Sequence, residues 1–223
     1  MRIAELFYSL QGEGALAGMP SVFVRTSGCN LRCAWCDTPY TSWQPEGAEL
    51  PLEQILDEVR AHPTNYVVVT GGEPMIAPEI VPLTQRLRAL GKHITIETAG
   101  TVFHPVACDL MSISPKLANS RPPGEWAERH ERARINPEAL GELTRRYEYQ
   151  LKFVIEKPAD VQEARALAAA LEAPRERVIL MPEGADPERL RERARWLAEL
   201  CKQEGFRFGP RLHVDLWGNR RGI

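Results

Sequence analysis

Apolar residues along the chain follow two alternating rhythms. Short runs rich in β-branched residues read as strands at residues 21–28 (SVFVRTSG), 66–72 (YVVVTGG), 93–100 (HITIETAG), 107–114, 147–156 (YEYQLKFVIE) and 177–182 (RVILMP). Between them the apolar positions shift to the helical period. Residues 52–61 place Leu52, Ile55, Leu56 and Val59 on one face. Residues 78–90 repeat this with Ile80, Leu83, Leu87 and Leu90, and Gly91 stops the pattern. An alanine-rich helix is expected at 160–171 and a shorter one at 137–146. A long helix at 187–203 sits behind Asp186 as N-cap and ends before Gly205.

Strand–helix alternation predicts βαβ units and a mainly parallel sheet. Six strands fall short of the eight of a full (β/α)₈ barrel, so the expected fold is α/β: a partial, open TIM-like barrel with helices outside, in one domain spanning 1–223. Chemistry in such sheets gathers at the C-terminal strand ends. Two stretches break the rhythm. Residues 42–50 (SWQPEGAEL) read as a loop, and 116–137, arginine-rich with Pro122-Pro123-Gly124, is long enough for a lid or mobile segment.

Composition narrows the class. The 223 residues are 43% hydrophobic and 26% charged, with a net charge of −2, as expected of a soluble globular protein. That charge balance leaves no basic footprint for nucleic acid. The first residues (MRIAEL) lack an apolar signal core, and no apolar run is long enough to span a bilayer, so a cytoplasmic protein without a membrane partner is expected. In a reducing compartment a cysteine cluster points to metal or redox chemistry, not to disulfides.

That cluster is Cys29-x₃-Cys33-x₂-Cys36, directly after the first predicted strand. Thiolates are soft ligands suited to iron–sulfur clusters or zinc. A structural zinc site needs four ligands, usually in two separated pairs. Here there is one compact triplet, and Cys108 and Cys201 are isolated, read as small buried apolar residues on a strand and a helix. Three thiolates on a [4Fe–4S] cluster leave one iron open, which a catalytic centre needs.

This spacing resembles the signature of the radical S-adenosylmethionine superfamily. The resemblance implies that the open iron is chelated by the amino and carboxylate groups of S-adenosylmethionine. Trp35, inside the triplet, fits as a shielding ring, and Cys36 and Asp37 as further cosubstrate contacts. The second motif, Gly71-Gly72-Glu73-Pro74, follows the next strand; in the superfamily such a turn binds the cosubstrate amino group, which gives Gly72 and Glu73 that role here. Glu97 and Thr98, and the Ser114-Pro115-Lys116 turn, end the next two strands and fit ribose and carboxylate contacts.

Further features make the resemblance more particular. They are the N-terminal SLQGEG segment (residues 9–14), Arg25, Asp37-Thr38 after the triplet, and the closing LHVDLWGNRRGI (212–223). Together they resemble the 7-carboxy-7-deazaguanine synthase (QueE) family along the whole chain. The resemblance implies a carbon–nitrogen lyase that contracts the ring of 6-carboxy-5,6,7,8-tetrahydropterin to 7-carboxy-7-deazaguanine with loss of ammonia, in the queuosine and 7-deazapurine pathway. It also implies hydrogen removal at pterin C6 by a 5′-deoxyadenosyl radical, regeneration of the cosubstrate, Mg²⁺ held by Thr38, and a homodimer. A low-potential flavodoxin or ferredoxin is the expected reductant.

The substrate contacts expected are Leu10, Gln11, Gly12 and Glu13 for the pterin edges, Arg25 for its carboxylate, Thr70 before the glycine turn, and His213 closing the pocket. Lys152, flanked by Leu151 and Phe153, shares a strand face with Gln150 and is an unexplained lysine in apolar company. Two alternatives stay open: a glycyl-radical activating enzyme, which shares the triplet and the glycine turn, and a zinc-binding structural module.

Overall fold

The computed structural model describes residues 1–223. Nine strands form one sheet: β1 (Arg2–Leu10), β2 (Pro20–Thr26), β3 (Ala48–Glu49), β4 (Tyr66–Gly71), β5 (His93–Thr98), β6 (Leu110–Ile113), β7 (Tyr149–Ile155), β8 (Val178–Pro182) and β9 (Arg207–Phe208). They lie in the order β3-β1-β2-β4-β5-β6-β7-β8-β9. From β2 to β9 every pairing is parallel; β1 pairs antiparallel with β2 and β3. The two edge strands do not meet, so the sheet is an open, partial barrel as the sequence predicts.

The helices are α1 (Pro39–Ser42), α2 (Leu52–Ala61), α3 (Ile80–Ala89), α4 (Ala127–Ala133), α5 (Pro137–Arg146), α6 (Asp160–Ala170), α7 (Pro187–Glu204) and α8 (Leu212–Trp217). Asp186 caps α7 by accepting from the amides of Glu188 and Arg189, and Gly205, at φ 70°, ends it. No helix is long and apolar enough to cross a membrane.

Strand alternation explains how one sheet carries both a core and a site. Val22 and Val24, Val67 and Val69, Ile94 and Ile96, Met111 and Ile113, Leu151, Phe153 and Ile155, and Val178 and Leu180 pack in one apolar core with the helices. Their alternate neighbours point the other way. On that inner face Arg25, Thr70, Glu97, Ser112 and Lys152 come from five consecutive strands and line a single cavity. The register sets Arg25 beside Thr70, and Glu97 beside Ser112 beside Gln150. Every residue of β7 is buried, because both of its faces are covered.

Three sequence readings change. β1 is a full strand that the apolar pattern does not announce. Cys108 precedes β6, with its sulfur 3.6 Å from the Ile94 carbonyl, and is not on a strand. The 116–137 stretch is not a structureless lid: it holds short 3₁₀ turns at Ala118–Ser120 and Gly124–Trp126 and then α4, whose His130 is buried.

Candidate active site

The inner face of the sheet closes around a cavity of about 660 Å³ at the C-terminal ends of the strands. Most of the expected site residues line it: Leu10 to Glu13 from the end of β1, Arg25, the three cysteines with Trp35, Asp37 and Thr38, then Thr70, Gly72, Glu97, Ser114, Lys116 and His213.

The cysteine loop leaves β2 and is fastened to the glycine turn after β4. The Glu73 amide donates to the Gly28 carbonyl at 2.9 Å, and the Gly28 amide to Thr41 O at 2.9 Å. A Cβ on Gly72 would lie 2.2 Å from Gly28 O, so only glycine allows this approach. Glu73 is buried behind the turn and is not among the residues lining the cavity. Its side chain is 0% exposed and accepts from Thr98 Oγ1 and the Ala99 amide at 2.7 Å and from the Met75 amide at 3.0 Å. Those donors tie the β4 turn to the end of β5, while burial pushes the carboxyl up from its usual range. The motif offers the cavity Gly71 and Gly72 instead. Pro115 is likewise not among the lining residues, whereas Lys116 donates to Ser114 Oγ at 3.0 Å and its ammonium sits 5.6 Å from the centre of the Trp35 ring.

The three thiols are free and share an apolar pocket with Leu31, Trp35 and Ala99. Burial pushes the Cys29 thiol up to about 11 and the Cys33 thiol up to about 12. The Leu31 amide donates to Cys29 Sγ at 3.4 Å, and Cys36 Sγ lies 3.2 Å from Ser42 Oγ. No three His, Cys, Asp or Glu side chains converge on a point that could hold one metal ion. In a four-iron cluster each thiolate bonds a different iron, and this soft, partly buried donor set in one apolar pocket fits such a cluster.

The same cavity holds a charged network. Lys152, 3% exposed, donates from Nζ to Glu13 Oε2 at 2.8 Å and to Glu97 Oε1 at 3.2 Å. Glu97 also accepts from Thr70 Oγ1 at 2.9 Å and Gln11 Nε2 at 3.3 Å. Arg211, 8% exposed, donates from Nε to Glu13 Oε1 at 3.0 Å, and also to Asp37 and the Gly184 carbonyl. Burial pushes the Glu13 carboxyl up, but the Lys152 and Arg211 charges outweigh it and hold Glu13 well below the usual carboxylate range. Burial pulls Lys152 down, and the Glu13 and Glu97 carboxylates reverse this and raise it.

On another wall Arg25 Nε forms an ion pair with Glu5 Oε2 at 2.6 Å, and the same oxygen accepts a hydrogen bond from Tyr40 at 2.7 Å. His213 packs against Gly12, whose carbonyl accepts from the Leu212 amide at 2.9 Å, and burial pulls the His213 imidazole below its usual range. Sequence reasoning missed Arg211 and the C-terminal Asn219, Arg220, Arg221 and Ile223, which also line the cavity, and Glu5, which backs Arg25. Glu5 and Arg211 show their roles only through partners far away in the chain.

Residues 23–119 match the family model described as the Radical SAM superfamily. The 7-carboxy-7-deazaguanine synthase of Halobacterium salinarum is 47% identical over 97% of this chain and 90% of its own length. The chain belongs to the 7-carboxy-7-deazaguanine synthase family. Enzymes of that name from Rhodopirellula baltica and Pyrobaculum aerophilum are 43% and 38% identical over 99% and 100% of this chain, and 88% and 97% of their own lengths. The crystal structure of QueE from Escherichia coli superposes with a TM-score of 0.69 at 27% identity, covering 93% of this chain and 92% of that one. SuiB of Streptococcus suis shares the fold alone, with a TM-score of 0.58 at 15% identity over 89% of this chain and 50% of its own. Membership in the 7-carboxy-7-deazaguanine synthase family implies a [4Fe–4S] cluster and S-adenosylmethionine as cofactors, and makes the chain a lyase of 7-deazapurine biosynthesis.

Proposed function

We propose that the chain, as a single radical S-adenosylmethionine domain over 1–223, contracts 6-carboxy-5,6,7,8-tetrahydropterin to 7-carboxy-7-deazaguanine with release of ammonia. The observation that carries this reading is the cavity itself: it brings together three soft thiols and fixed polar groups from the end of β1 and from β2, β4, β5 and β7. When bound through Cys29, Cys33 and Cys36, the cluster supplies the electron that cleaves S-adenosylmethionine.

The chain's own residues bind and orient. Trp35 and the backbone of Gly71 and Gly72 flank the cosubstrate, with Asp37, Ser114 and Lys116 nearby. Arg25, ion-paired with Glu5 and lining the cavity, offers its guanidinium to the substrate carboxylate. Glu13 and Glu97 accept from N–H groups of the heterocycle, and Lys152 holds the two carboxylates in place by ion pairs. Gln11, Gly12 and Thr70 complete the ring contacts. His213, neutral in its buried position, covers the substrate.

Thr38 lines the cavity beside Asp37 and offers a hard oxygen for Mg²⁺, which commonly completes its shell with waters and substrate oxygens. A cytoplasmic setting, a flavodoxin or ferredoxin as reductant and a homodimeric assembly complete the proposal. It is tested by incubating the anaerobically reconstituted protein with the carboxypterin, S-adenosylmethionine and dithionite. The deazaguanine product is expected by absorbance and mass; a loaded enzyme that consumes S-adenosylmethionine but leaves the pterin intact contradicts the substrate assignment.

A further inference from the structure

The segment at 118–130 touches the cysteine loop at three points. The Arg32 amide donates to His130 Nδ1 at 3.1 Å, the Ala34 amide to Ser120 O at 2.9 Å, and Trp35 Nε1 to Asn119 O at 3.0 Å. All three land between the first and the third cysteine, where the backbone lies in neither helix nor strand. The segment is itself anchored. Asn119 Nδ2 donates to Asp160 Oδ2 at 2.7 Å and to the Val154 carbonyl at 3.0 Å, which ties it to β7 and α6.

His130 is the unusual member. It is 1% exposed, contributed by α4, and faces no substrate. Ser120 donates its hydroxyl to Leu117 O at 2.6 Å, so its oxygen accepts from His130 Nε2–H at 2.9 Å. That fixes the neutral tautomer with a bare Nδ1, which is the atom the Arg32 amide needs. Around it, the Arg32 guanidinium lies 4.6 Å from the centre of the Trp126 ring and donates to the Cys29 and Leu31 carbonyls at 2.8 and 2.7 Å.

We propose that His130 is a positioning residue for the iron–sulfur loop: through the Arg32 amide it sets where Cys33 stands relative to Cys29 and Cys36. The inference rests on the functional reading above, since it gives the loop a cluster to hold. It also assigns 116–137 a fixed clamp in place of a mobile lid. Partners that orient metal ligands typically matter ten- to a hundredfold in metal retention.

The test compares His130→Ala, His130→Asn and wild type, each reconstituted anaerobically. Iron release to a ferrous chelator is followed, and the spectrum of the reduced cluster is recorded with and without S-adenosylmethionine. His130→Ala is expected to release iron roughly tenfold faster or more and to show a broadened spectrum. The metal-free chains are expected to melt close together. Asparagine keeps an acceptor at the same branch as Nδ1, so His130→Asn is expected to stay close to wild type. Should His130→Ala not fold, Ser120→Ala carries the test: it frees the tautomer and is expected to speed release by a smaller factor. Wild-type release and spectrum in His130→Ala, or equal loss in the alanine and asparagine variants, overturns this inference alone. A wild-type protein that assembles no cluster overturns it together with the functional reading.

Discussion

Replacing Lys152 with methionine removes the one ammonium shared by Glu13 and Glu97 while keeping the stem volume. Deleting one partner of a buried ion pair typically costs about 3–5 kcal/mol, because the remaining charge is stranded. Glu13 keeps Arg211, so the low end applies and a loss of about 3 kcal/mol is expected. For a chain of this size that corresponds to roughly 6–12 °C in melting temperature. The pH dependence has a definite sign. Glu13, depressed in the folded state, contributes stability above the ordinary carboxylate pKa of about 4.3 and loses it as pH falls further. Lys152, raised in the folded state, contributes below about 10.4 and loses it as pH rises toward its folded value. The gap between wild type and Lys152→Met therefore narrows as pH falls through the acid range, where Glu13, no longer held down by Lys152, takes up a proton in the variant. Circular dichroism melts of the metal-free chains at pH 4 and pH 7 read both quantities. A variant within about 2 °C of wild type at pH 7, or a gap that widens in acid, refutes the reasoning.

Three further outcomes follow from the same geometry. A Cβ at Gly12 would lie 1.9 Å from His213 Nδ1 and 2.9 Å from its Cβ, so Gly12→Ala displaces the whole ring; KM for the pterin rises roughly ten- to a hundredfold in steady-state assays with iron content unchanged. Arg211→Met unties Glu13, Asp37 and Gly184 at once and lowers stability by about 3 kcal/mol in denaturant titration, and Arg211→Lys fails to restore it, because one ammonium cannot span three acceptors. Thr38→Ala abolishes the response of turnover to added Mg²⁺ while leaving cluster content unchanged; a wild-type Mg²⁺ titration curve in the variant removes Thr38 from that role.

The parallel half of the sheet is legible because β2 and β4 to β8 carry β-branched runs closed by turn residues. β1 escapes because its pattern is weak: Glu5 and Ser9 interrupt it, a bulge falls between Ile3 and Glu5, and most of it is only partly buried. β3 and β9 have two residues each, too short for any period to register. The cysteine triplet and the glycine turn are visible as local spacing. Arg211 is not, since its partner Glu13 lies 198 residues away and nothing local marks Arg211 itself. Glu73 shows a role the motif does not announce: its buried carboxylate accepts from three internal donors and so ties the β4 turn to the end of β5. His130 sits in a polar, arginine-rich stretch that reads as surface. Its burial follows from a contact with the cysteine loop 98 residues earlier, which no periodicity encodes.

The account stands on three cysteines leaving one iron of a four-iron cluster free for S-adenosylmethionine. Electron paramagnetic resonance of the anaerobically reconstituted, dithionite-reduced protein, recorded before and after adding S-adenosylmethionine labelled with ¹⁵N at its amino group, reads that vacancy directly. The expected result is a reduced-cluster signal that shifts on addition and gains a nitrogen hyperfine coupling. A signal that ignores the cosubstrate, or a reconstituted protein with no such signal, contradicts it.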